Sequence, residues 1–241
     1  MQRLGVSTSV VKSDLRMIKY LTEKFKFSNL FEIGFIDPKY INNLNVIKGK
    51  SIGVHSPFIF KLKNHPKLTH SDYHFTFSKI LRSAYFAKQI KSEYLIVHYP
   101  DALQNDDWNK NLFLLEELSS IIKIRIENTY GNKFFYSEKD YKNLCQDLNL
   151  KLCIDIGHLL LDERINPFKF IEFLEEYIEE FHIYYADKKI YKICHHKPWS
   201  ENKYYIELLK LIMKLDADIV IESTPQCNRD LGKLLKFLGV I

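Results

Sequence analysis

The chain has 241 residues, of which 46% are hydrophobic and 14% aromatic, and its formal net charge is +5. This composition excludes a disordered chain, and the length allows a sizeable core to be buried without disulfides or structural metals. The basic excess is mild and forms no long Lys/Arg block, which excludes a tail-driven nucleic-acid binder but permits an acidic or phosphate-bearing partner. No apolar run approaches the length of a membrane span, and the first residues lack the features of a signal peptide, so we expect no membrane partner.

The four cysteines, Cys145, Cys153, Cys194 and Cys227, include no Cys-x-x-Cys pair. Cys145 and Cys153 lie in apolar or helical surroundings, where a free cysteine behaves as a small hydrophobic residue. We therefore expect a reducing, cytoplasmic location, with neither a disulfide framework nor a zinc finger.

Eight short apolar runs rich in Ile, Val, Phe and Tyr alternate with longer stretches of helical periodicity. The predicted strands are residues 3–7, 30–35, 51–56, 94–99, 122–128, 151–156, 181–186 and 218–223. The predicted helices are 13–27, 71–91, 106–120, 137–149, 167–179, 201–215 and 228–238, whereas 37–50 is too rich in Asn for a good helix. Ser13-Asp14 and the Ser137/Asp140 pair are the helix-capping signals.

This alternation predicts an α/β fold, a (β/α)8 TIM barrel formed by residues 1–241 as a single domain. A doubly wound open sheet is the competing fold. It is less favoured because the chain has only 8 Gly and no G-x-G-x-x-G turn.

A metal-capable side chain ends six of the predicted strands: His55, His98, Glu127, Asp155, His182 and Glu222. In a barrel the carboxyl ends of the strands meet on one face, where such enzymes keep their active sites. Imidazole and carboxylate ligands suit Zn²⁺ best here, with Mn²⁺ or Fe²⁺ as alternatives. Glu127, in the middle of the series, could be shared by two ions.

More polar residues follow the same strand ends. His158 lies three residues after Asp155, and His195 and His196 follow the seventh strand. Two basic loops accompany them, with Lys188, Lys189, Lys192 and Lys197 in one and Lys61, Lys63, His65 and Lys67 in the other. Basic loops above a metal-bearing face indicate an anionic substrate, and a phosphate is the first candidate.

Residues two apart on a strand share a face, so Arg125, Cys153 and Glu180 should lie one layer below the strand-end side chains. We expect Arg125 to pair with Glu180 inside the barrel. Glu32, in the second strand, is a further interior or rim candidate. A histidine at one strand end, taken alone, is more often structural than functional, and lysine clusters are usually solvated faces. The occurrence of metal-capable residues at six strand ends together is what favours a functional site over a structural role.

Several pieces of the sequence resemble a known superfamily. They are Val54-His55-Ser56-Pro57, Val97-His98-Tyr99-Pro100, Ile126-Glu127-Asn128-Thr129, Cys153-Ile154-Asp155-Ile156-Gly157-His158, Phe181-His182-Ile183, His195-His196 and Ile221-Glu222-Ser223-Thr224. In this order the chain resembles the xylose-isomerase-like TIM barrels. That superfamily contains the type-2 AP endonucleases (endonuclease IV) and sugar isomerases and epimerases.

The endonuclease branch implies up to three metal subsites. His55, His98 and Glu127 would hold one ion, and Glu127, Asp155, His182 and Glu222 a second. His158 and His195 would hold part of a third. The family has an Asp two residues before that last histidine, and this chain has Ile193 there.

The isomerase branch implies one ion held by Glu127, Asp155, His182 and Glu222, with Glu127 and Glu222 as the catalytic pair that moves the proton. His158 would contact the substrate. His196 and Lys188, which follow the seventh strand, are further candidates for substrate binding. The positions three and six residues after His182, which are often Asp and Arg in that branch, are Tyr185 and Lys188 here.

The favoured hypothesis is an endonuclease IV-like hydrolase in which metal-activated water attacks a phosphate ester, with abasic sites in DNA, and so nucleic acid, as one substrate. It would use one to three divalent ions. The alternative is a metal-dependent isomerase or epimerase of sugars or sugar phosphates. A third hypothesis is a barrel that keeps these residues but only binds a ligand.

Overall fold

A computed structural model describes residues 2–34, 38–56, 73–98, 105–133 and 135–241. Eight parallel strands pair in chain order, and β1 pairs with β8, which closes the barrel. The strands are Leu4–Ser7 (β1), Leu30–Ile33 (β2), Ser51–His55 (β3), Tyr94–His98 (β4), Ile124–Glu127 (β5), Lys151–Asp155 (β6), Ile178–Ile183 (β7) and Asp218–Ile221 (β8). The predicted (β/α)8 barrel is confirmed.

Helices connect the strands around the outside of the barrel. They are Ile18–Lys24 (α1), Tyr73–Gln89 (α2), Asn105–Ile121 (α3), Glu138–Leu148 (α4), Ile156–Leu161 (α5), Pro167–Leu174 (α6), Ile190–Ile193 (α7), Lys203–Ile212 (α8) and Leu231–Phe237 (α9). A 3₁₀ segment, Pro38–Ile47, replaces an α-helix between β2 and β3. None of the helices in the described ranges is long and apolar enough to cross a membrane.

Side-chain caps explain where several helices begin. Ser137 and Asp140 form a reciprocal capping box at the start of α4, as their spacing predicts. Asn166 accepts backbone N–H groups at the start of α6, where Pro167 occupies the first turn. These local signals fix the helix starts, and packing of the apolar helix faces on the strands then forms the core.

The seventh strand differs from its prediction. It begins at Ile178, three residues before residue 181, and α6 ends at Leu174 rather than continuing to residue 179. The Glu-rich sequence before Phe181 predicts a helix, because glutamate favours helices and is uncommon in strands. Glu180 is nevertheless fully buried inside the barrel, where an ion pair allows a charged residue in a strand.

The cysteine expectation is wrong for one pair. Cys194 and Cys227 form a disulfide, with their Cα atoms 6.0 Å apart. Their separation of 33 residues in the sequence gives no local signal for this pairing. Cys145 and Cys153 are free and buried, as expected.

Arg125, Cys153 and Glu180 form a layer inside the barrel that we call the floor layer. Arg125 makes ion pairs with Glu180 and, at 3.2 Å, with Asp218, as predicted for Glu180. The Tyr94 hydroxyl donates to Glu180 Oε1 at 3.1 Å, and its ring centroid lies 3.6 Å from the Arg125 guanidinium carbon. The floor layer therefore carries its own cation.

Candidate metal centre

The strand-end side chains meet above the floor layer. Parallel pairing places His98 beside Glu127 and Asp155 beside His182 in neighbouring strands. All six predicted strand-end residues are buried: His55, His98, Glu127, Asp155, His182 and Glu222. Glu127, Asp155 and His182, which sit two residues after the members of the floor layer, are called the rim layer below.

Glu127 is at the centre of the cluster. Its Oε2 atom lies 2.8 Å from His55 Nε2 and 3.0 Å from His98 Nε2. Its Oε1 atom lies 3.5 Å from His158 Nδ1 and 3.9 Å from His182 Nδ1. The two carboxylate oxygens therefore face different groups of histidines.

Two overlapping ligand sets follow from this arrangement. One contains His55, His98 and Glu127, and the other contains the rim layer; in each set the ligand atoms lie within 4.8 Å of one another. Glu222 Oε1 approaches the second set, 3.9 Å from His182 Nδ1. The sequence resemblance implied the first of these sets and, with Glu222 as a fourth member, the second.

Besides being a candidate ligand, Asp155 caps a helix. Its Oδ1 atom accepts the backbone N–H of His158 at 2.7 Å, which caps α5 directly after the strand. Gly157, in that first turn, leaves space for the Tyr184 ring, which a Cβ atom at residue 157 would overlap. The cap thus holds the His158 backbone through Asp155 Oδ1, and Asp155 Oδ2 lies 3.7 Å from His158 Nδ1.

Glu32, an interior or rim candidate in β2, contacts the cluster. It is fully buried, and its Oε2 atom lies 3.0 Å from His182 Nε2. Glu32, His55, His182 and Glu222 form a further group with ligand atoms within 4.8 Å. The one signal in the sequence was a lone carboxylate in the otherwise apolar strand β2, which must have a partner if it faces inward.

The residues of the implied third subsite lie beside this cluster. His158 Nδ1 is 2.8 Å from the Asn128 carbonyl oxygen, and His195 Nε2 is 2.8 Å from the Tyr191 hydroxyl. Ile193, where the family has Asp, is 83% exposed. The structure thus gives His195 a tyrosine partner on the outer side of the cluster.

His196 faces the cluster more directly than His195. It is buried, its ring stacks on Tyr184 at a centroid distance of 4.1 Å, and its Nδ1 atom is 3.4 Å from Glu222 Oε2. Lys188 is exposed and pairs with Glu163 at 2.7 Å. The other predicted basic loop, Lys61, Lys63, His65 and Lys67, lies outside the described residues.

Burial and close charges shift the pKa values of the cluster in opposite directions. Burial opposes protonation of His55, but the carboxylates of Glu127, Glu32 and Glu222 together outweigh it and raise the pKa of His55 to about 9. Burial lowers the pKa of His98 to about 4 despite the Glu127 carboxylate. Burial, followed by repulsion from Glu127, raises the pKa of Asp155 well above its ordinary value. Such divergent shifts in one cleft are typical of functional sites.

The donor set fits a divalent cation. In the described part of the chain, no lysine or arginine pairs with Glu32, Glu127, Asp155 or Glu222; their ion-pair partners there are histidines. The buried Nδ1 atom of His182 has no hydrogen-bond partner among the described residues, and it faces Glu127 and Glu222 at distances expected between ligands of one ion. Buried carboxylates without a cation are costly, and N and O donors suit Zn²⁺ and similar ions.

Comparisons with known proteins agree with this fold. No protein-family model matches the sequence, and no curated protein matches it. Among solved structures, a D-tagatose 3-epimerase-like protein is 22% identical with a TM-score of 0.70, and the alignment covers 99% of this chain and 98% of that chain. Endonuclease IV from Thermus thermophilus is 14% identical with a TM-score of 0.70, covering 99% of this chain and 100% of that one.

The IolI protein with a binding zinc atom is 16% identical with a TM-score of 0.66, covering 98% of this chain and 96% of that chain. Two further matches are a xylose isomerase domain protein from Planctomyces limnophilus and a putative xylose isomerase from Rhodospirillum rubrum. The chain thus shares the (β/α)8 fold of the xylose isomerase-like TIM barrels, as the resemblance in its sequence predicted.

Proposed function

We propose that this chain is a divalent-metal-dependent hydrolase of phosphate esters, acting as endonuclease IV-like enzymes do, with DNA containing abasic sites as the first substrate to test. The observation that carries the proposal is the division of Glu127. One oxygen faces His55 and His98, and the other faces His158 and His182. A carboxylate shared between two ligand sets favours two adjacent ions over one.

His55, His98 and Glu127 would hold one ion, and Glu127, Asp155, His182 and Glu222 would hold the other. Bound divalent ions supply Lewis acidity, which lowers the pKa of water and stabilises the charge that develops on a phosphate. The first set matters most here, because an isomerase that needs one ion has no evident use for His55 and His98.

The protein's own groups supply the rest of the site. Glu222 Oε2 faces His196 Nδ1 at 3.4 Å, so this pair can hold a proton beside the second ligand set. His196 is kept in place by its stacking on Tyr184. His158, near the open side, and the exposed Lys188 would contact the anionic substrate. Burial of the carboxylates excludes bulk water and strengthens every charge interaction at the site.

The test combines metal content with two activities. We expect the wild-type protein to hold at least two zinc or manganese ions and to cleave a duplex with a single abasic-site analogue, with steep loss of binding at high salt. His55→Ala should lose about one ion per chain and the cleavage activity. Glu207→Gln, which removes an exposed carboxylate of α8 that pairs with Lys210, is the matched control and should change neither. A wild-type protein with one ion, unchanged in His55→Ala, would contradict the hydrolase proposal.

A metal-dependent sugar or sugar-phosphate isomerase or epimerase is the second candidate. Glu127 Oε1 and Glu222 Oε1 are each 3.9 Å from His182 Nδ1, so two carboxylates flank one ligand position, as a proton-exchanging pair would. Incorporation of solvent deuterium into a ketose or aldose would identify this activity. It should be lost in Glu222→Gln and retained in His55→Ala, whereas the hydrolase activity should be lost in both variants.

A further inference from the structure

His182 is held from below by a carboxylate. Its Nε2 atom lies 3.0 Å from Glu32 Oε2, whereas its Nδ1 atom faces Glu127 and Glu222. Both residues are fully buried, His182 at 0% and Glu32 at 0% exposed. An ionised carboxylate can only accept hydrogen bonds, so with Glu32 ionised the proton of this contact is on His182 Nε2.

A second carboxylate competes for the same nitrogen but is engaged elsewhere. Glu180 Oε1 is 3.6 Å from His182 Nε2, too far for a good hydrogen bond. Glu180 is paired with Arg125 and accepts from the Tyr94 hydroxyl. In the described structure Glu32 has His182 as its hydrogen-bond partner, and its Oε1 atom has none.

We propose that Glu32 is a positioning residue for metal binding: it accepts the Nε2–H of His182 and thereby directs the Nδ1 lone pair into the rim layer. The proposal rests on the metal dependence proposed above. A ligating histidine commonly donates its other N–H to a carboxylate, which fixes the tautomer and ring orientation and makes the imidazole a stronger ligand. Glu32 would supply this effect from β2, a strand that contributes no other residue to either ligand set.

The surroundings of His182 support this division of roles. Cys153 lies below it in the neighbouring strand, the His55 ring stacks at a centroid distance of 5.6 Å, and Glu127 and Glu222 lie on the Nδ1 side. The carboxylate hydrogen-bonded to Nε2 is Glu32. If the His182 ring rotated so that its two nitrogens exchanged places, its N–H would point toward Glu127 and Glu222, where the ligand lone pair is needed.

The first experiment measures metal affinity in three proteins. Zn²⁺ affinity of the metal-free protein is determined by competition with a chromophoric chelator for wild type, Glu32→Gln and Glu32→Leu. Gln keeps an acceptor oxygen but loses the charge, whereas Leu removes both. We expect about a 10–100-fold loss of affinity for Glu32→Leu, the range for such supporting carboxylates, and a smaller loss for Glu32→Gln. Glu207→Gln is again the control. Equal affinity in all proteins would overturn the proposal.

A second readout separates support for metal binding from a merely structural role. Glu32 and His182 form a buried pair, and removing one partner of such a pair is destabilising, so we expect the metal-free Glu32→Leu protein to lose stability to urea and, measured per folded molecule, to lose metal affinity as well. A structural role predicts lower stability of the metal-free Glu32→Leu protein with an unchanged metal affinity per folded molecule. That pattern would contradict the positioning role.

A third measurement needs no metal. In ¹⁵N-histidine-labelled metal-free protein, we expect His182 to give a slowly exchanging Nε2–H resonance that shifts in Glu32→Gln and exchanges rapidly in Glu32→Leu. The resonance is assigned by its absence in His182→Gln. An unprotonated His182 Nε2, or one that does not respond to residue 32, overturns the proposal even if the protein binds metal. A protein that binds no metal but shows this resonance would instead refute the proposed function while leaving the Glu32 contact intact.

Discussion

The floor layer and the rim layer occupy the same strands, two residues apart, and treat buried charge in opposite ways. In the floor layer, the guanidinium of Arg125 balances Glu180 and Asp218. In the rim layer, the ion-pair partners of Glu127 and Asp155 among the described residues are histidines. The protein therefore balances the floor-layer carboxylates with its own arginine, whereas the rim-layer carboxylates have imidazole partners.

The comparison teaches that buried carboxylates by themselves do not identify a metal site. Both layers contain acidic groups of nearly zero exposure. What distinguishes the rim layer is the identity of the partners, because imidazoles can coordinate a cation whereas a guanidinium replaces one. Each layer should accordingly respond differently to mutation and to metal removal.

The largest change in the free energy of unfolding is expected for a substitution in the floor layer. Arg125→Met leaves Glu180 buried without its cation, and we expect the free energy of unfolding to fall by about 3–5 kcal/mol, measured by urea denaturation. Lys123→Gln removes a half-exposed cation that precedes β5 and pairs with Glu179 of β7, a carboxylate that also contacts Arg125. This control should cost less than about 1 kcal/mol. Similar losses in the two variants would show that the floor layer does not depend on its internal charge balance.

The rim layer should respond to metal instead. A free Zn²⁺ concentration about 100-fold above the dissociation constant should raise the free energy of unfolding by about 2.7 kcal/mol, and EDTA should remove that gain. In Asp155→Asn the gain should be much smaller, because a ligand of the second set is lost. Zinc that stabilises wild type and Asp155→Asn equally would be bound elsewhere on the protein.

The smallest expected effect is at the outer edge of the site. Lys188 and Glu163 form an exposed ion pair, with side chains 68% and 75% exposed. Lys188→Ala should therefore change the free energy of unfolding by less than about 1 kcal/mol and leave metal content unchanged. If Lys188 binds an anionic substrate, KM rises while kcat is retained. An unchanged KM would show that Lys188 does not bind the substrate.

The barrel and the main ligand sets were predictable because they depend on patterns that repeat along the chain. Alternating apolar strands and helices indicate the architecture, and the strand-end position of residues such as His98 and Glu127 then predicts that they meet. Parallel pairing in chain order brings the strand ends together, although a register shift between Leu152 and Cys153 is needed to align Asp155 with His182. The same reasoning placed Arg125 one layer below Glu127 and paired it with Glu180.

Features that depend on long-range partners were not predictable in this way. Glu180 looks like part of a helix until its pairing with Arg125 explains a charged residue inside a strand. Glu32 has no neighbouring signal, since its partner His182 is 150 residues away in the sequence. The Cys194–Cys227 disulfide likewise joins two loops whose proximity appears only after the barrel closes.

The close approach of Gly157 to Tyr184 has a consequence for how this sequence can vary. Any side chain at residue 157 would displace the Tyr184 ring, and that ring stacks on His196. A saturation library at residue 157 should therefore yield few folded, active members, although this glycine ligates nothing. Variation at residue 157 would be tolerated only together with a smaller residue at position 184, so the two positions should change as a pair.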